Sequence, residues 1–209
     1  MLKKNYAGLV VATLFTGSAI GAQQELSLTI QSTNHEIGNE TFSNQAQSSI
    51  GFRQIHSFND FSLELDTSFS SIKIPDISYK KLYTSLLLSP ALGDKTLIDF
   101  KAGIGAVTHF DLQYGSSNKS ISASPTVTGT ATINKKLFGH NFYLTNSLTS
   151  TIAPSSLIES SAKYECSSGV KKGRFDFSVG YKREKLKLGF NNYTNLSSDG
   201  LFISTKITF

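Results

Sequence analysis

The chain has no tryptophan, one methionine and a single cysteine, Cys166. A lone cysteine cannot close an internal disulfide, so no bridge supports this fold, and its thiol reads as an unpaired strand residue. Charge is also sparse: 17% of residues are charged, against about 25% in an ordinary soluble domain. The formal charge is +5, from 20 basic and 15 acidic side chains. Lys3 and Lys4 belong to an expected leader; without them 20 − 2 leaves 18 against 15, or +3. An excess that small and scattered excludes a nucleic-acid footprint. Beyond residue 22 no apolar run is long enough for a membrane-spanning helix. A glycine-rich phosphate loop, a paired-cysteine metal site and a GxSxG elbow are all missing, so no cofactor or metal is expected.

The first segment, "MLKKNYAGLVVATLFTGSAIGAQQ", is organised as a secretory signal. Lys3 and Lys4 form the basic start, Ala7 to Ile20 an apolar stretch too short to cross a bilayer, and Gly21 and Ala22 a small-residue cleavage zone. The expected division is a signal peptide over 1–22 and one domain over 23–209. With no later apolar run, a mature chain that enters a membrane must do so as strands.

Period-two patterning dominates that domain. "FSLELDTSFS" sets Phe61, Leu63, Leu65, Thr67 and Phe69 against Ser62, Glu64, Asp66 and Ser68. "RFDFSVGYK" sets Phe175, Phe177, Val179 and Tyr181 against Arg174, Asp176, Ser178, Gly180 and Lys182. Alternation of this kind is a strand with two unlike faces. Ten such segments are expected, near 25–33, 47–57, 60–71, 78–89, 96–109, 122–136, 141–152, 157–167, 172–183 and 201–209. Short connections are expected near Asn59, Gly93, Gly139 and Gly169, and long ones at 34–46, 110–121 and 184–200. Tight turns on one side and larger loops on the other are the habit of an outer-membrane barrel. The fold class is therefore an all-β, up-and-down antiparallel transmembrane barrel of about ten strands, with eight or twelve as alternatives. A soluble sandwich also alternates, but it hides its apolar face in a core. The leader, the small residues on the polar face and the apolar final strand favour lipid contact.

That final strand, "GLFISTKITF", resembles the C-terminal assembly signal of Gram-negative outer-membrane barrels. The matching residues are Leu201, Ile203, Ile207 and Phe209. The resemblance implies recognition by the barrel assembly machinery and location in the cell outer membrane. Weaker is the likeness of "GHNFYLTNSLTSTIAPSSLIESSAKYECSSGVKKGRFDFSVGYKR" and "DGLFISTKITF" to the YfaZ-like family of small outer-membrane proteins. It covers about the last third of the chain and implies no functional residues.

Ten charges fall on the polar face: Arg53, Glu64, Asp66, Asp99, Lys101, Lys163, Glu165, Arg174, Asp176 and Lys182. Equal numbers of both signs in a narrow lumen predict a paired network, since a buried charge left alone costs several kcal/mol. A ring of one sign, which an ion-selective pore would use, is not present. Small barrels that act as lipid A deacylases or omptin proteases rely on histidine with serine or carboxylates. Of His35, His56, His109 and His140, only His109 in "THFD", beside Asp111, makes a candidate cluster. His35 and His140 fall in or beside expected connections. The basic run Lys182, Arg183, Lys185 and Lys187 suits lipopolysaccharide phosphates. The expected protein is a monomer that binds no nucleic acid and contacts outer-membrane lipid and lipopolysaccharide. Its expected role is structural or interactive at the surface, without enzymatic activity. A small passive channel and an enzyme acting on lipid A or peptides are the alternatives.

Overall fold

The computed structural model describes residues 22–74, 77–90, 97–114, 117–155, 158–189 and 194–209. The expected leader, apart from Ala22, and the expected turn near Gly93 lie outside them. Ten antiparallel strands run in order: β1 (Gln23–Ile37), β2 (Glu40–Ser57), β3 (Phe61–Ile74), β4 (Ile77–Pro90), β5 (Ile98–Tyr114), β6 (Ser117–Leu137), β7 (His140–Thr151), β8 (Ile158–Lys172), β9 (Phe175–Leu188) and β10 (Thr194–Thr208). Each pairs with its neighbours in sequence and β10 returns to β1, closing a barrel. Closure leaves no sheet edge where hydrocarbon must be faced.

The faces sort as the alternation predicts. On β1, Leu26, Leu28 and Ile30 are 40%, 49% and 59% exposed, while Glu25, Ser27, Thr29 and Gln31 point inward. Every strand adds to this outer belt, through residues such as Phe69, Leu88, Ile104, Val127, Leu148, Phe177 and Ile203. An apolar belt facing out around a polar interior makes sense only in lipid.

The strands run further than expected. Most of 34–46, 110–121 and 184–200, expected as loops, is strand: β1 and β2 stay paired to Ile37–Glu40, β5 and β6 to Tyr114–Ser117, and β9 and β10 to Leu188–Thr194. The Asn- and Ser-rich sequence there does not match a lipid-facing pattern because it lies above the lipid. On β1 the outward residues change to Ser32, Asn34 and Glu36, and on β3 to Ser71 and Lys73.

In this upper part the polarity of the wall reverses. Ile72, Ile74, Ile77, Tyr79 and Leu112 on one side, and Ile158, Leu186, Leu188 and Leu196 on the other, form one buried cluster, with Ile37 packed against it. The wall has also divided. β2 pairs with β3 only from Ser49–Ser70 downward, and β6 pairs with β7 only from Thr126–Thr151 downward. Above those points β3–β6 form one sheet and β8, β9, β10, β1 and β2 another, packed face to face over the apolar cluster. The chain is thus a barrel in lipid that continues upward as a sandwich in water, one architecture grading into the other along the same strands.

At the lower end the described turns are tight. Phe138 and Gly139 both take positive φ, 51° and 77°, as a two-residue hairpin turn requires. The turn expected near Gly169 is instead at Gly173–Arg174, because β8 continues through Gly169. Within the wall, Gly103 lies so close to β4 that an added methyl would run into the Leu86 carbonyl and come 2.8 Å from Leu87 Cα. Gly103→Ala should therefore destabilise the barrel by about 1–3 kcal/mol, whereas Gly129→Ala, which meets nothing within 4 Å, should be silent. Urea unfolding in lipid vesicles measures both.

Candidate functional site

The lumen brings charged side chains together from many strands. Nine of the ten expected charges face it. Arg174 does not: it sits exposed in the β8–β9 turn, one residue short of the strand whose alternation appeared to include it. Five further charges do face inward, Glu25, Lys81, Lys171, Glu184 and Lys206, which restores seven of each sign. Glu184 lies in an expected loop and Lys171 in an expected turn; Glu25, Lys81 and Lys206 lie in expected strands, at inward positions where a charge is indistinguishable from other polar residues.

The charges lie in two tiers. In the lower tier Arg53 Nε is 3.0 Å from Glu64 Oε1, Nη2 is 3.0 Å from Asp66 Oδ2, and Nη1 is 3.5 Å from Glu25 Oε2. Lys101 Nζ reaches Glu64 at 2.6 Å, Lys171 reaches Glu25 at 3.4 Å, and Tyr143 donates to Asp176 at 2.6 Å. One guanidinium thus ties β1, β2 and β3, and its carboxylates recruit β5 and β8. In the upper tier Lys81 Nζ meets Glu184 at 2.6 Å across the lumen, from β4 to β9, with Lys182 at 3.8 Å. Burial alone would raise the Glu184 carboxyl; Lys81 and Lys182 more than offset it and hold the group below the usual carboxylate range. Between the tiers is a cavity of about 190 Å³, lined by hydroxyls such as Ser27, Thr29, Ser68 and Ser204 as well as by Lys163, Lys182 and Lys206.

Above the upper tier the apolar cluster of the sandwich begins. His35, expected in a connection, is fully buried on β1. Its Nδ1 pairs with Ser198 Oγ at 2.9 Å and its Nε2 with Gln47 Nε2 at 2.7 Å, in a chain that continues to Gln31. Burial keeps this imidazole below the ordinary histidine value, so it is neutral at pH 7 and the chain is one of neutral groups.

The other candidates separate. His109 points inward, 1% exposed, against the Tyr79 ring at 5.2 Å. Asp111 takes positive φ in a bulge and points outward to Lys80 at 3.2 Å. The two lie on opposite faces of β5. His56 is near the lower end of β2 and His140 opens β7. The basic run also divides by parity: Lys182 belongs to the lumen, while Arg183, Lys185 and Lys187 face outward just above the belt, with Lys187 2.7 Å from Glu159. Leu201, Ile203 and Phe209 are 70%, 52% and 68% exposed on the lipid face, with Ile207 between them. Among the described residues no group of three metal-ligating side chains occurs.

A closed ten-stranded wall, an apolar outer belt and a charged, paired interior define the class: a bacterial outer-membrane β-barrel. No family model and no curated protein matches the sequence, so the YfaZ-like resemblance gains no support. Solved structures with a similar fold include Neisserial surface protein A, at 13% identity over 90% of this chain and 97% of that one, with a TM-score of 0.38. LpxR from Salmonella typhimurium is 8% identical over 90% and 99%, with a TM-score of 0.48. An outer-membrane channel from Pseudomonas putida F1 is 10% identical over 91% and 96%, at 0.45.

Proposed function

We propose that this chain is a closed barrel with a structural or surface-interaction role, holding a water-facing sandwich above the outer leaflet. The observation that carries this reading is the apolar contact between the two upper sheets, which lies above the lumen. Below it, Lys81 and Glu184 pair across the lumen, and the Arg53 network crowds the wall beneath them. A passive channel would need both obstructions to part. The enzymatic alternative rested on His109 beside Asp111, which point to opposite faces.

In this reading the outward Arg183, Lys185 and Lys187 meet phosphate groups of lipopolysaccharide. The last strand, through Leu201, Ile203, Ile207 and Phe209, is the assembly signal. The YfaZ-like resemblance of the last third fits the same reading and gives no residue a role.

Planar-bilayer recording tests the closure. Purified barrel should show no discrete conductance steps, and reproducible single-channel steps would transfer the reading to a small-solute channel.

A further inference from the structure

The lipid-facing belt carries a recess. On the outer face of β5–β8, Ala102, Gly129 and Ala131 floor a groove of about 610 Å³, walled by Leu88, Phe100, Leu148 and Tyr164. Asn146 opens into it. On its own strand Asn146 alternates with Leu144 and Leu148, 40% and 58% exposed, and further along with Phe142 and Ile152, 40% and 61% exposed. Its amide therefore sits near the middle of the hydrocarbon. Tyr164 donates its hydroxyl to Asn146 Oδ1 at 2.9 Å. Neither hydrogen on Nδ2 finds an acceptor among the described residues. In hydrocarbon there is no water to take them, and an unsatisfied polar group is costly.

An acyl tail would fill the groove and leave those donors bare. A second copy would not. Two barrels in one membrane are related by a twofold axis along the membrane normal, so each residue on that axis meets its own equivalent at the same depth. An amide is self-complementary, with donors and an acceptor on one plane. Small residues let two walls approach closely, as they do between membrane helices, and a single interfacial asparagine can fix register. We propose that this recess is the contact face of a homodimer, in which Asn146 of each copy donates to Asn146 of the other. This departs from the monomer expected from the sequence and stands apart from the closed-lumen reading.

The test is subunit counting by single-molecule photobleaching in lipid vesicles over a dilution series. Every protein carries Phe138→Cys, in a turn beneath the groove where the side chain is 95% exposed, on a Cys166→Ser background. This parent should bleach in two steps and dissociate only on dilution. Asn146→Leu should weaken association by about tenfold or more. Gly129→Leu keeps the amide but fills the recess; an added Cβ there meets nothing within 4 Å, so the barrel should fold and remain single. Heat-modifiable gel mobility confirms folding of each. Single-step bleaching of the parent at every dilution would overturn the proposal and leave the groove to lipid, as would an Asn146→Leu protein that pairs as well as the parent.

Discussion

Replacing Arg53 with methionine should lower the stability of the folded barrel by about 3 kcal/mol. Arg53 is the only cation within 4 Å of Asp66 among the described residues, and it also holds Glu64 and Glu25. Glu64 is 3% exposed, so after the substitution its charge depends on Lys101 alone. Three carboxylates would then share one region of a narrow lumen without the cation that separates them. The low end of the range for a broken buried pair applies because the Arg53 side chain keeps 27% exposure. A second protein checks the cause. Combining Arg53→Met with Glu64→Gln and Asp66→Asn removes the stranded charges with the cation, and most of the loss should return. Urea unfolding in vesicles measures both. A loss under about 1 kcal/mol for Arg53→Met would place the network with solvated surface pairs, and the lumen would have to be far wetter than its pairing implies.

Leu186→Asp should open the upper sandwich and spare the barrel below it. Leu186 is 3% exposed, on β9, in the cluster that joins the two sheets. A carboxylate there has no cationic partner in the cluster, and burying it would cost at least about 3 kcal/mol. The sheets should part instead, because above Ser49–Ser70 and the Ile152–Pro125 backbone bond it is their facing side chains that hold them together. Hydrogen exchange separates the outcomes. Amides of Ile72–Ile74, Ile77–Tyr79, Leu186–Leu188 and Leu196 should lose protection, while those between the belt residues of the same strands should keep it. Uniform loss of protection along β9 would mean that barrel and sandwich form one cooperative unit. The same protein in the planar bilayer asks whether the sandwich alone blocks the lumen or the paired charges suffice.

The ten strands and their order were legible because lipid imposes one rule on every strand that crosses it. Phe61, Leu63 and Leu65 against Ser62 and Glu64 can only face two unlike media. The upper strands obeyed a different rule. There water is outside and the core is inside, so Ile72 and Ile74 continue the parity of Glu64 and Asp66 while reversing its chemistry. Read against a single pattern, that reversal looks like the end of a strand. The parity itself was the usable signal: "SIKI" and "KLKL" keep apolar residues at every second place. Nine lumen charges were readable because they sat between belt residues, although Lys206, between Thr205 and Ile207, escaped the same reading. Arg174 looked like one of them, but it stands where the chain has already turned. Asn146 carried no signal at all, since one asparagine in "FYLTNSLTS" is unremarkable until its face is known.

The seam between β2 and β3 also acts as a depth gauge. Below Ser49–Ser70 the two strands are zipped, and Ile50 and Phe69 face outward at 57% and 40% exposure. Immediately above, the two edges no longer pair with each other, and water can serve their amides and carbonyls where hydrocarbon cannot. Sinking the molecule by even one ladder rung would drag bare peptide groups beneath the headgroups. Raising it would strip lipid from the greasy girdle. The protein's vertical position in the leaflet is thus set by backbone valence as much as by side-chain hydrophobicity.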